Sequence, residues 1–195
     1  MFGVEALFDL NWYNSQLTSQ IISVESGLEH FERMGRAERL SPHPLFDLNW
    51  YLDQYPDVAE SVSCPVGHFL NQGWREGRDC HPLISTRYYL SQRLSGTVDS
   101  LLLHYLREGG SANIAPNPFF DASWYRSRYM ADDAEITPLE HYILESRRRV
   151  VWPHPLFDPN FYLEKNIDVR KREMDPLSHY FRVGRFEGRN LPTRK

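Results

Sequence analysis

An all-α fold of tandem short-helix repeats, stacked as a solenoid-like array, is predicted by three observations. An aromatic residue ahead of an acid recurs as Phe8-Asp9, Phe46-Asp47, Phe120-Asp121 and Phe157-Asp158, with Ile84-Ser85 in the third place, at steps of 38, 38, 36 and 37 residues. A histidine followed by an aromatic recurs with the same period, as His30-Phe31, His68-Phe69, His104-Tyr105, His141-Tyr142 and His179-Tyr180. Strand-like alternation of valine and isoleucine is nowhere sustained. Such a period marks a repeat architecture, and five units follow, spanning 8–45, 46–83, 84–119, 120–156 and 157–192. They occupy nearly all of the 195 residues, so a single repeat domain over 1–195 is predicted.

Each unit is read in order from its start. The aspartate is a good N-cap, because its carboxylate can accept from unpaired first-turn amides and oppose the helix dipole. Phe46 before it and Tyr51 after it fit a hydrophobic staple across the cap. The Trp-Tyr pairs Trp12-Tyr13, Trp50-Tyr51 and Trp124-Tyr125 follow, varied as Tyr88-Tyr89 and Phe161-Tyr162, and their tryptophans are expected to point inward. Pro56 suits a first helical turn, as do the prolines of Cys64-Pro65, Thr137-Pro138 and Asp175-Pro176, since a missing N–H is unpaired there anyway. The next helix shows an apolar face at three-and-four spacing, with Val66, Phe69 and Leu70 in unit two and Leu177, Tyr180 and Phe181 in unit five. Gly73 and Gly184 are expected to cap it with positive φ, and Ser146 replaces that glycine in unit four. Glu76-Gly77-Arg78 and Glu187-Gly188-Arg189 come next, and a proline closes each unit (Pro44, Pro82, Pro118, Pro155, Pro192).

Composition narrows the class. A hydrophobic share of 41% with 25% charged residues can build a core, and two cysteines exclude a disulfide-dense scaffold. No apolar run approaches the roughly 20 residues of a membrane helix. Met1-Phe2-Gly3-Val4-Glu5 has neither the basic nor the apolar part of a signal peptide, so a soluble cytoplasmic chain is expected. The 27 aromatics are many for a mean hydropathy of −0.55, and about four per unit fall on repeat positions. Units this small need large side chains and stacked neighbours to close a core.

The pattern F-D-x-x-W-Y-L, P-D-V, then P-L-x-H-Y-L-x-x-G-x-x-E-G-R resembles a tandem repeat of bacterial cell-surface polysaccharide proteins, where it accompanies glycosyltransferase or sulfotransferase domains. Unit two carries it as Phe46-Asp47-Leu48-Asn49-Trp50-Tyr51-Leu52, Pro56-Asp57-Val58, His68-Phe69-Leu70 and Gly73-Trp74-Arg75-Glu76-Gly77-Arg78. Unit five carries it as Phe157-Asp158, Phe161-Tyr162-Leu163, Asp168-Val169, Pro176 to Phe181 and Glu187-Gly188-Arg189. Units one, three and four depart in the Pro-Asp-Val and Glu-Gly-Arg segments. The resemblance implies a module working beside a transferase, in the same chain or as a separate subunit.

No catalytic signature stands out from the repeat. Neither G-x-S-x-G nor the phosphate-cradling G-x-x-x-x-G-K-S/T or G-x-G-x-x-G occurs, and Asp-x-Asp is missing, with Asp132-Asp133 the nearest pair. The repeated histidines are expected to make one internal hydrogen bond in every unit. Cys64, His68, Cys80 and His81 superficially make a zinc set, but His68 belongs to the repeat position, and His81 matches His43 and His154. No enzyme, cofactor or metal is therefore predicted.

Binding residues are sought outside the repeat pattern. Trp74 and Trp152 lie off it and are expected to be exposed, as candidates to stack on sugars or meet a partner. Residues 1–146 hold 10 Lys or Arg against 20 Asp or Glu, whereas 147–195 hold 12 against 6, including Arg147, Arg148, Arg149, Arg170, Lys171 and Arg172. This basic end suits a protein partner, a glycosyltransferase above all, or an anionic polysaccharide. It also suits self-association with the acidic body of a second copy. Nucleic acid is disfavoured by a pI near 6.1. Leu191-Pro192-Thr193-Arg194-Lys195 reads equally as an end or as the stub of a sixth unit.

Overall fold

The computed structural model describes residues 1–92, 94, 97–131 and 135–190. Among them are twelve α-helices and no strand, so the fold is all-α. In chain order they are α1 (Leu10–Asn14), α2 (Val24–His30), α3 (Leu48–Gln54), α4 (Pro56–Ser61), α5 (Pro65–His68) and α6 (Thr86–Ser91), then α7 (Leu101–His104), α8 (Ala122–Tyr129), α9 (Pro138–Ser146), α10 (Pro159–Lys165), α11 (Ile167–Lys171) and α12 (Pro176–His179). Helices α2, α5, α7 and α12 run on into a wider π turn, Phe31–Gly35, Phe69–Gly73, Tyr105–Gly109 and Tyr180–Gly184.

The first helix of a repeat is fixed at its start by two devices. Asp9, Asp47, Asp121 and Asp158 each accept the amide three residues on, from Trp12, Trp50, Trp124 and Phe161 at 2.9 to 3.1 Å. Such a cap contributes about 1 kcal/mol. The aromatic before the cap then packs on the tyrosine after it, with ring centroids 5.1 Å apart for Phe8–Tyr13, 5.3 Å for Phe46–Tyr51 and 5.2 Å for Phe120–Tyr125. This geometry buries the tyrosine of the pair in every repeat, whatever becomes of the tryptophan. Tyr13, Tyr51, Tyr89, Tyr125 and Tyr162 are at most 1% exposed, whereas Trp50 is 8% exposed and Trp12 and Trp124 are only half-buried. The expectation of inward tryptophans holds for Trp50 and is corrected for Trp12 and Trp124: the tyrosine holds the staple position under the preceding aromatic, and these two tryptophans lie at the helix flank.

The same aspartates tie the beginning of a repeat to its end. Asp9 N–H donates to the Pro42 carbonyl, Asp47 N–H to Cys80 and Asp121 N–H to Pro153, all at 2.9 to 3.0 Å. Each of these repeats is thus closed into a loop by one backbone bond.

The second helix starts at a small polar cap that accepts the amide three residues on: Ser23 from Ser26, Cys64 from Gly67, Thr137 from Glu140 and Asp175 from Ser178. Proline opens α5, α9 and α12 as its missing N–H allows. Its end differs from the expectation for Gly73 and Gly184. These glycines lie inside the π turn, and the left-handed residues come four positions later, at Gly77 (φ 75) and Gly188 (φ 71), with Arg39 and Asn113 (both φ 54) at the matching places. The residue after each donates its amide back five residues, Leu40 to Gly35, Arg78 to Gly73, Ile114 to Gly109 and Arg189 to Gly184, at 2.8 to 3.0 Å. Gly73 is small for another reason: a Cβ there would sit 2.6 Å from the Tyr51 hydroxyl. Repeat four, with Ser146, lacks the π turn, and α9 ends as an ordinary helix.

The chain divides into two compact units. The first comprises Met1–Thr86 with Gly96–His104 and holds repeats one and two; the second comprises Arg87–Ser95 with Tyr105–Lys195 and holds repeats four and five. Repeat three is shared between them. Within the first unit, Arg36 of repeat one reaches the Val62 and Ala59 carbonyls of repeat two. Within the second, Tyr142 of repeat four donates to Asp175 of repeat five at 2.6 Å.

Candidate functional site

The repeated polar residues are used inside the fold. Nδ1 of the repeat histidine lies against the buried tyrosine hydroxyl in Tyr13–His30 (2.7 Å), Tyr51–His68 (3.0 Å), Tyr125–His141 (2.9 Å) and Tyr162–His179 (2.9 Å). Burial holds His141 and His179 below the ordinary imidazole range, so both are neutral at pH 7. Burial also pushes the Tyr13 and Tyr162 hydroxyls up to about 12, which keeps them protonated.

The second histidine series closes the turn between repeats. Nδ1 of His43, His81 and His154 accepts the amide two residues on, from Leu45, Leu83 and Leu156, at 3.0 to 3.1 Å. In repeat three Asn117 Oδ1 does the same for Phe119 at 2.8 Å. Full burial drives His81 down to about 3.

These bonds absorb the apparent zinc set. His68 and His81 direct Nδ1 to Tyr51 and Leu83, Cys64 Sγ accepts the Gly67 amide, and the buried Cys80 thiol faces the Leu45 carbonyl at 3.5 Å. Both cysteines are free thiols. Among the described residues, no group of three or more His, Cys, Asp or Glu could hold a metal ion. Asp132-Asp133 and 191–195 lie outside the described residues.

The Pro-Asp-Val and Glu-Gly-Arg segments prove to be partners. Arg78 grips both oxygens of Asp57 at 2.9 and 2.7 Å and Glu76 at 2.6 Å, and Arg189 grips Asp168 at 2.8 Å twice and Glu187 at 2.6 Å. The guanidinium holds Asp57 and Asp168 below the usual carboxylate range. Repeats one, three and four lack both sequences together. That pairing could have been inferred from their joint loss.

Of the sequence-chosen contact residues, Trp74 is 7% exposed, which corrects the expectation of an open sugar-stacking face. It lies just after the π turn, and the Arg75 guanidinium covers its ring at 4.4 Å. Trp152 is half-buried, with its amide donating to the Tyr129 hydroxyl at 3.3 Å.

The arginines behave differently. Arg147, Arg148, Arg149 and Arg170 line one groove of about 340 Å³ in the second unit, with Val150, Leu163, Met174 and Pro176 as apolar lining and Glu173 and Asp175 as acids. Arg172 is exposed but does not line it. The groove lies where α9 stops at Ser146 without a π turn, with Arg147, Arg148 and Arg149 exposed beside Arg170 of α11. A helix C-terminus favours such cations. Arg148 and Arg149 also share one carboxylate, Glu145, at 3.6 and 2.7 Å.

No protein-family model, curated protein or solved structure matches the chain. Among the described residues, no helix is long and apolar enough to cross a membrane.

Proposed function

We propose that the chain is a non-catalytic helical-repeat scaffold that binds a protein partner, a glycosyltransferase of bacterial surface polysaccharide synthesis on the cytoplasmic side. In this reading the repeats within each compact unit stack as a short solenoid-like array. One observation supports it: repeat histidines are paired with repeat tyrosines, as in Tyr51–His68, and aspartates with backbone amides or arginine, as in Asp47–Trp50 and Asp57–Arg78, which fits architecture rather than reacting groups. The resemblance of repeats two and five to transferase-associated modules supplies the class of partner.

Two measurements test it. The chain is expected to co-elute with a glycosyltransferase encoded beside it, and to transfer no sugar when incubated alone with nucleotide sugars and acceptor. Transfer by the purified chain, or failure to co-elute with any such enzyme of its locus, contradicts the reading.

A second reading, direct binding of an anionic glycan, is favoured by the arginine groove alone. Burial of Trp74 weighs against it, since a covered ring has no open face for a sugar.

A further inference from the structure

The groove between the end of α9 and α11 says more about the partner. We infer that it docks an acidic peptide segment bearing aliphatic side chains, presented by a protein partner; this rests on the interaction-module reading and deepens it.

Charge is the first support. Four arginines line the groove against two acids, and Asp175 is committed elsewhere: one oxygen accepts the Tyr142 hydroxyl at 2.6 Å and the other the Ser178 amide at 2.7 Å. Arg148 and Arg149 have a single carboxylate between them, and both are more than half exposed. An incoming carboxylate therefore meets guanidinium groups whose forks suit it in pairs. The described residues 147–190, with 10 basic against 6 acidic side chains, add a favourable long-range field.

The lining is the second support. Val150, Leu163, Met174 and Pro176 offer aliphatic contact, and Val150 is 45% exposed. Among the described residues no aromatic ring lines the groove, whereas a surface for leucine or valine is present. The volume of about 340 Å³ suits a few side chains rather than a long polymer segment.

The test uses the full chain and a fluorescein-labelled peptide alternating glutamate with leucine, read by anisotropy. Saturable binding that weakens as salt rises is expected, together with at least about tenfold weaker binding to the Arg148→Ser, Arg170→Ser double variant. Arg33→Ser, an exposed arginine of the first compact unit, is expected to leave the affinity unchanged. Lysine-leucine peptide and acidic oligogalacturonate are expected to compete poorly. Failure of the glutamate peptide to bind, equal weakening by Arg33→Ser, or tighter binding of oligogalacturonate overturns the inference. Co-elution with a glycosyltransferase is read separately, so the module reading and the groove can fail independently.

Discussion

The Tyr51 hydroxyl lies 3.0 Å from Nδ1 of His68, seventeen residues on, and ties the first helix of repeat two to the helix that closes it. The same bond joins Tyr162 to His179 at 2.9 Å. In repeat four the interval is sixteen, Tyr125 to His141, and the bond is kept. With Tyr13–His30 at 2.7 Å, the contact recurs in repeats one, two, four and five although the interval varies by one residue.

Tyr51→Phe removes the hydroxyl, leaves an imidazole nitrogen without its partner, and is expected to destabilise the protein by roughly 1–2 kcal/mol. Urea denaturation followed by far-UV circular dichroism measures this. An unchanged midpoint would show that water replaces the tyrosine at no cost.

The two kinds of glycine should respond differently. Gly73→Ala forces a methyl to within 2.6 Å of the Tyr51 hydroxyl and is expected to cost about 1–3 kcal/mol. Gly188→Ala meets nothing within 4 Å but must hold φ near +71, for an expected cost of roughly 1 kcal/mol. Arg39→Gly relieves a left-handed arginine (φ 54) and is expected to stabilise slightly, about 0.5 kcal/mol, offset by its exposed ion pair with Asp53. Thermal melts of the three variants give the order.

Acid should weaken the fold in two windows. His81 has a folded pKa of about 3 against an unfolded value of 6.5, so the unfolded chain binds a proton first and the stabilisation from the neutral ring, complete above pH 6.5, falls as pH drops toward 3. Asp168 is lowered by its hydrogen bonds to Arg189, so its contribution is present above the ordinary carboxylate pKa and is lost below about pH 4. His81→Asn borrows the side chain that Asn117 uses in the matching turn and is expected to flatten the first window while leaving the second. Denaturation midpoints between pH 2 and 8 distinguish them; identical profiles for the variant and the parent contradict the assignment.

Much of the helical architecture could be read from residue order, because capping and stapling are local. Asp47, Phe46 and Tyr51 announce the start of α3, and Pro65 and Pro176 mark the first turns of α5 and α12. What could not be read depended on geometry at longer range. The π turn shifts the left-handed position from Gly73 to Gly77, and nothing in helix propensity marks that shift. Trp124 and Tyr125 are adjacent and both large, so only the staple decides which is fully buried. Arg170 joins Arg147, Arg148 and Arg149 through the placement of α11 against the end of α9, although its charge was evident in the sequence.

The proposed function divides the molecule into repeat positions that carry stability and an arginine groove proposed to carry recognition. The most direct measurement is the affinity of Tyr162→Phe for the glutamate-leucine peptide, read under conditions where the variant remains folded. A lowered urea midpoint with an affinity equal to that of the parent is expected. An affinity about tenfold weaker, with the midpoint unchanged, would make the tyrosine–histidine pair part of the binding site and contradict the division.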